Sequence, residues 1–345
     1  MKARLERRRH VLSLAATVFV VSAVLAPAPA PAQEFVMKLA HVVNPGSPRD
    51  KLMHLYGKNL GERSKGRIKV QVYPSGQLGG NRQIIEGIQV GTIEGTIAPT
   101  AFLGGFEPLL TVMDLPFLFP NIDVASKVAN SDVGMALARE VEAKGIKGLA
   151  FYGEGAKHFA TTFPVRRPAD FQGKKMRSMP AAVLLEQFRA WGANPVPMEF
   201  TETYNAIAQG VVAGQEQQWG LIHDLRFYEV SKYLTETDHG FFVEFFMVSK
   251  KWYDRLPADL KKAVVAEAQA LIPVRLQWTN EYSKASLEKI LAARKDVQFH
   301  KLTKEEWGAF REASAPAHRK YAEITGAKGA QYLAKIKAKV DELAR

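Results

Sequence analysis

Beyond Gln33 the hydrophobic positions switch repeatedly between two periods. Phe35 to His41 forms a short apolar run, and Arg67 to Tyr73 sets Ile68, Val70 and Val72 against polar neighbours, the two-residue period of a half-buried strand. Between them Ser47-Pro48-Arg49-Asp50 reads as a helix start, with serine as cap, proline in the first turn and a carboxylate three residues on. Leu52, Leu55, Tyr56 and Leu60 continue it at helical spacing. Pro74-Ser75-Gly76 stops the second strand. After Gly79-Gly80, Ile84, Ile85 and Ile88 mark a short amphipathic helix, and Gly91 to Ala98 the next strand. Strand, helix, strand, helix, strand predicts a largely parallel α/β sheet. The pattern returns in the strands Gly148 to Tyr152 and Lys174 to Ser178 and the helices Ala181 to Ala190 and Thr201 to Gln209, so two α/β lobes are expected. From Pro257 the chain turns helical, and Ala258 to Arg294 is interrupted only at Ile272-Pro273, where the ring must kink or end a helix. A strand over Val297 to Leu302, a capping box at Thr303-Lys304-Glu305-Glu306, and helices on Trp307, Phe310, Tyr332, Ile336 and Val340 complete the reading.

The first 32 residues follow a different rule. A basic stretch from Met1 to His10, an apolar run from Val11 to Leu25 and the tail Ala26-Pro-Ala-Pro-Ala-Pro-Ala32 have the layout of an export signal, with cleavage expected after Ala32. A membrane anchor is the competing reading, but the apolar run falls short of the roughly 20 residues a span needs. Arg8-Arg9 leaves twin-arginine export open beside the general route. Charged residues interrupt every later apolar run, so the mature chain is expected in the periplasm without direct membrane insertion.

Composition narrows the chemistry. At 345 residues, with 47% hydrophobic and 24% charged positions, the chain can bury two ordinary cores. The formal charge is +12; the first ten residues carry +4 of it, which leaves about +8 for the rest. There is no cysteine, which excludes disulfides, thiolate nucleophiles and cysteine-ligated metals. Gly153-Glu154-Gly155 lacks the third glycine of a dinucleotide loop, and no nucleophile elbow, phosphate loop or zinc helix is present. The eight histidines are scattered, so no metal and no cofactor is assigned. Glu202, Glu216 and Asp170 could form a carboxylate pair only if the fold united them, and no catalytic residue is assigned. Lysines and arginines are mixed with acids without an aromatic-interleaved basic tract, which argues against nucleic acid. A cationic exported protein suits small anions, with an arginine fork for a carboxylate.

Several motifs fall in a familiar order: Tyr73-Pro74-Ser75-Gly76-Gln77-Leu78-Gly79, Asp114-Leu115-Pro116-Phe117-Leu118, Gly173-Lys174-Lys175-Met176-Arg177, Pro197-Met198-Glu199-Phe200-Thr201-Glu202-Thr203-Tyr204 and Gly210 to Glu216. With Phe227 to Leu234 they resemble the solute-binding proteins of tripartite ATP-independent periplasmic (TRAP) transporters, the C4-dicarboxylate-binding type, over nearly the whole mature chain. The resemblance implies a two-lobe periplasmic-binding-protein fold with a hinge and a long kinked connecting helix. Lobe one would comprise 33–153 plus 243–282, and lobe two 154–242 plus 283–345. It implies a receptor that captures a small organic acid between the lobes and delivers it to a TRAP membrane permease, without chemistry of its own.

By the same resemblance the arginine that clamps a ligand carboxylate falls on Arg177. Lys157 stands where many members carry a second arginine, and keeps the charge but not the fork. Gln217 replaces the asparagine of Gly-Gln-Glu-Asn-Pro, and Ala213 replaces an acid. Pro99, Thr100 and Phe102 occupy a segment where sialic-acid-binding relatives place charged contacts, which argues against that ligand. Phe102, Phe200, Trp219 and Phe241 could line an apolar wall beside Arg177, although Phe241 and Phe242 read at least as well as core. An ABC-type receptor, a periplasmic enzyme using the same cleft, and a ligand-sensing partner of a membrane kinase remain as alternatives at this level.

Overall fold

The computed structural model describes residues 34–344; the export signal expected over 1–32 lies outside them. Eleven strands form two sheets. In chain order they are β1 (Phe35–Ala40), β2 (Ile68–Tyr73), β3 (Gly95–Pro99), β4 (Ile146–Ala156), β5 (His158–Thr161), β6 (Lys175–Ser178), β7 (Asn194–Pro197), β8 (Gly214–Gln217), β9 (Tyr233–Glu236), β10 (Phe241–Ser249) and β11 (Gln298–Lys301). The first lobe is built on the order β2-β1-β3-β10-β4 and the second on β11-β9-β5-β8-β6-β7. The expected parallel core is present in β2-β1-β3, and β10 enters antiparallel between β3 and β4. In the second sheet β5 alone runs against its neighbours β8 and β9.

Local rules set most helix ends. Ser47 Oγ accepts from the Asp50 N–H at 3.3 Å and starts the helix Pro48–Arg63. Thr303 and Glu306 exchange reciprocal capping bonds at 3.2 and 2.9 Å ahead of the helix Lys304–Ala313. The helical stretch after Pro257 divides at Leu271, with Pro273 in the first turn of Ile272–Ala293, because that position lacks a helical partner for its missing N–H. One boundary differs from expectation. Gly91, read as a strand start, instead takes φ 84° and closes the helix Asn81–Val90, so β3 begins only at Gly95.

Two crossings join the lobes side by side. β4 leaves the first sheet at Ala156, Lys157 N–H donates to Gly240 C=O at 2.8 Å, and His158 opens β5 in the second. The return runs from β9 through 237–240 into β10, whose Phe241 pairs with Ala156. The connector Ile272–Ala293 packs on β4 of the first lobe and on the helix Trp219–Asp224 of the second. The last helix, Ala315–Leu343, bends at Gly326 and also touches both sides, against Ala182–Ala190 and against 108–114 and Ile122–Ala129. Phe241 to Val248 are buried throughout, which makes β10 a fully buried central strand. The second lobe has its own aromatic core, in which Trp191 meets Phe159 and Phe310 edge-on at 5.6 and 5.3 Å.

Candidate functional site

Strand register and the two crossings bring a set of charged side chains from both lobes to the inside of the molecule. Arg177 lies on β6 between Val196 of β7 and Gln215 of β8, and lines a space shared with first-lobe residues. It is 2% exposed. Its Nε and Nη2 donate to the Met198 carbonyl at 3.3 and 3.1 Å, and its guanidinium lies 5.7 Å from the centroid of Phe200. Among the described residues no carboxylate comes within 4.0 Å of it. Burial pulls its pKa down to about 10, and the more distant Glu216 and Glu199 offset this only in part.

A narrow space of about 20 Å³ adjoins it. The second lobe supplies Arg177, Met179, Phe200 and Gln217 to the lining; the first lobe and the β4 end supply Arg49, Asn81, Pro99, Phe102 and Glu154. Gln217 Oε1 is taken up by the Gln218 N–H at 2.9 Å, so its amide nitrogen is the group it can offer. Four of the six residues expected to bind ligand, Arg177, Gln217, Phe200 and Phe102, therefore meet around one space.

The other two are placed differently. Lys157 sits at the crossing itself, 1% exposed, with Nζ 3.2 Å from Glu216 Oε1 and 5.1 Å from the Phe242 ring centroid. Glu216 Oε2 also meets Gln187 Nε2 at 2.9 Å and His239 Nε2 at 2.8 Å. Burial raises the Glu216 pKa, but Lys157, His239 and Gln187 outweigh it and hold the carboxylate well below its usual range. Trp219 stacks on the His158 ring at 4.2 Å and 12°, and with His158 and Phe241 it lines a separate groove along the connector helix.

Sequence reasoning missed a second charge cluster on the first-lobe side. Arg49 Nη2 lies 2.8 Å from Glu154 Oε1, and its Nε contacts Glu244. Arg275 Nη2 lies 2.9 Å from Glu244 Oε2 and 3.8 Å from Glu154 Oε1. Arg275 Nη1 donates to Thr279 Oγ1 at 2.7 Å, which donates to the Gly153 carbonyl at 2.8 Å. Two cations thus face two anions. Burial works against the Arg49 charge, yet Glu244 and Glu154 raise its pKa. Asp114 is a further buried acid, bonded by Thr100 Oγ1 at 2.8 Å; burial pushes it up to about 6 against the pull of Lys157. Glu202 and Asp170 are not part of this assembly; Asp170 caps its own turn at Arg166 and Arg167.

One contact between the lobes lies beside Arg177. Glu199, next to Arg177's acceptor Met198, takes the N–H of Asn81 on Oε2 at 3.1 Å and that of Arg82 on Oε1 at 3.2 Å. It caps the helix Asn81–Val90 from the opposite lobe, where Gly80 offers no side chain. A Cβ on Gly80 would stand 3.0 Å from the Glu199 carboxylate. Among the described residues no group of three His, Asp or Glu side chains is arranged to hold a metal, and no helix is long and apolar enough to cross a membrane.

Residues 39–324 match the model of the bacterial extracellular solute-binding proteins, family 7. The chain is 34% identical over 321 residues to the C4-dicarboxylate-binding periplasmic protein DctP of Rhodobacter capsulatus, covering 91% of this chain and 93% of that one. It superimposes with a TM-score of 0.86 on a TRAP periplasmic solute binding protein from Desulfovibrio salexigens with bound orotic acid, at 32% identity over 89% of this chain and 99% of that one. The sugar acid binding protein DctPAm of Advenella mimigardefordensis, in complex with galactonate, gives a TM-score of 0.83 at 29% identity, over 88% and 98% of the two chains.

Proposed function

Because the chain belongs to the family 7 extracellular solute-binding proteins, the periplasmic receptors of TRAP transporters, we propose that it holds a small carboxylate on Arg177 in the cleft between its lobes. Such proteins are receptors and not enzymes, and neither an ABC-type receptor nor a periplasmic enzyme has support. The observation that carries the proposal is the state of Arg177: a buried guanidinium beside a cavity, with no carboxylate of its own. A desolvated charge without a counter-ion is unfavourable, and a ligand carboxylate supplies the missing partner. Two of the five N–H groups are engaged by Met198, which leaves the end-on fork to donate to both carboxylate oxygens.

In this reading Gln217 donates a further hydrogen bond and Phe200 and Phe102 enclose the ligand body. Lys157 acts through Glu216, whose position it fixes, and Trp219 acts through its stack on His158 at the crossing. The lobes divide as 33–153 with 243–282 and 154–242 with 283–345, after removal of a signal at Ala32. A ligand that touches both lobes favours the closed form by its difference in affinity between closed and open, and the membrane permease of the transporter receives that closed complex.

Calorimetric titration of the chain from Gln33 with a carboxylate panel tests this. Arg177→Ala should weaken every carboxylate hit by at least about tenfold, some 1.4 kcal/mol, with thermal unfolding still cooperative. Equal affinity in the variant removes the clamp.

A further inference from the structure

The cavity adjoins two arginines of opposite standing, and their difference bears on which acids fit. Arg177 brings one cationic charge with no carboxylate beside it among the described residues. Arg49, on the first-lobe wall, is already held by Glu154 at 2.8 Å and by Glu244, and Arg275 completes a group of two cations and two anions. The lining therefore offers a net charge of about one to a ligand, all of it on Arg177. The carboxylate that lines the same space is Glu154, 4% exposed, on the β4 end. Its Oε1 is engaged by Arg49, while its Oε2 has no hydrogen-bond partner among the described residues. An ionised carboxylate oxygen accepts and does not donate, so it calls for an O–H or N–H.

Resting on the carboxylate reading of Arg177, we propose that the ligand is a monocarboxylate with a hydrogen-bond donor at its far end, a hydroxy acid or a ring N–H acid, and that Glu154 selects against a second carboxylate. A dicarboxylate would bring its second charge beside Glu154 and find Arg49 and Arg275 both neutralised. In a buried space that second charge is repelled and has no partner, and discrimination by an unpaired buried charge is stronger than any gain in contact. Asn81, buried on the same wall, adds an amide that suits a polar uncharged group.

The test uses matched pairs that differ only at the far end: 4-hydroxybutyrate against succinate, and galactonate against galactarate, each titrated into the chain from Gln33 by calorimetry. The expected result is a preference of about tenfold or more for the monocarboxylate in each pair that binds, a free-energy difference near 1.4 kcal/mol. Glu154→Gln should narrow or reverse that preference by removing the repelling charge while leaving Arg49 and Arg275 in excess over Glu244. Succinate or galactarate binding as tightly as its partner in the unmodified protein overturns the proposal, and needs no variant to fold. If in that case Arg177→Ala still abolishes binding, the carboxylate clamp stands and only the selectivity fails. If Arg177→Ala changes nothing, or neither these four acids nor any member of the wider carboxylate panel binds, the clamp reading falls and the selectivity proposal with it.

Discussion

Arg49 and Arg177 line one cavity, and they are held in opposite ways. Arg49 is locked by Glu154 and Glu244, themselves shared with Arg275, so its charge is balanced inside the protein. Among the described residues Arg177 makes hydrogen bonds only to the Met198 carbonyl, and burial depresses its pKa to about 10. Both are buried to the same degree. Burial alone thus says little about purpose; the presence or absence of a counter-ion separates a charge balanced within the fold from one left open to a partner from outside it.

The largest effect should come from breaking the balanced group. Glu244→Ala leaves Arg49 and Arg275 with one carboxylate between them, and loss of one partner from a buried ion pair costs about 3–5 kcal/mol. Urea unfolding of the ligand-free protein should show that loss; a change within about 0.5 kcal/mol, the range of an ordinary surface substitution, would mean the cluster is not a structural unit. Arg177→Met should behave in the opposite manner. Ligand-free stability should stay within about 1 kcal/mol of the parent, since a desolvated charge and its bonds to Met198 are lost together. Carboxylate binding should weaken by about 2–3 kcal/mol, the scale of a charge-assisted hydrogen-bonded contact. Equal losses of stability in the two variants would erase the distinction between the arginines.

Asp114 extends the comparison to a buried acid. It faces Thr100 directly, with Lys157 and Glu216 near enough to influence it in opposite senses. Its folded pKa is about 6, above the ordinary 3.8, so on acidification the folded state takes up this proton first. Asp114 therefore adds stability as pH falls from about 6 to 4, complete below its unfolded value and absent above about pH 6. His41 acts the other way: its pKa is lowered to about 4 by burial and by Arg49, so the unfolded state is protonated first between 6.5 and 4 and stability falls. The two contributions oppose each other in one window. Asp114→Asn should unmask the histidine and steepen the acid loss by about 2 kcal/mol between pH 6 and 4. Parallel pH profiles for variant and parent would show that Asp114 is ionised throughout.

What could be read from the chain divides along the same line between local and distant causes. The Ser47 cap, the Thr303–Glu306 box and the helix break before Pro273 were legible because each depends on three or four neighbouring residues. Arg177 was singled out by its motif, but its burial beside the space shared by the two lobes was not legible. Arg49 was not: Pro48-Arg49-Asp50 reads as an ordinary exposed first turn, and its partners lie 105 residues away at Glu154 and further still at Glu244. The same holds for Arg275, a helical residue whose spacing does not distinguish a buried charge from a solvated one. Lys157 and Trp219 adjoin the motifs that mark the site, but the β4–β5 crossing turns Lys157 to Glu216, and the break between β8 and the helix Trp219–Asp224 turns the indole to His158. Neighbourhood in sequence fixes a residue's position to within a few ångströms and leaves its direction to the turn it sits in.

The smallest effect concerns a carboxylate that acts between lobes rather than within one, at the mouth of the cleft. Glu199 caps Asn81 and Arg82 across the cleft, so its two bonds exist only while the lobes are together. When they part, water satisfies the same N–H groups and the helix Asn81–Val90 loses little. The contact therefore stabilises the closed form over the open one by the worth of a charged helix cap, about 1 kcal/mol. Glu199→Ala should weaken ligand affinity about fivefold through faster release, with thermal stability of the ligand-free protein unchanged. Gly80→Ala offers an independent route to the same end. Its backbone, at φ −71°, tolerates alanine, and the added Cβ would meet the Glu199 carboxylate at 3.0 Å. If stopped-flow release rates stay at the parent value in both variants, the cap contributes nothing to closure, and the bias between open and closed must come from the ligand's own contacts with Arg177 and the opposite wall.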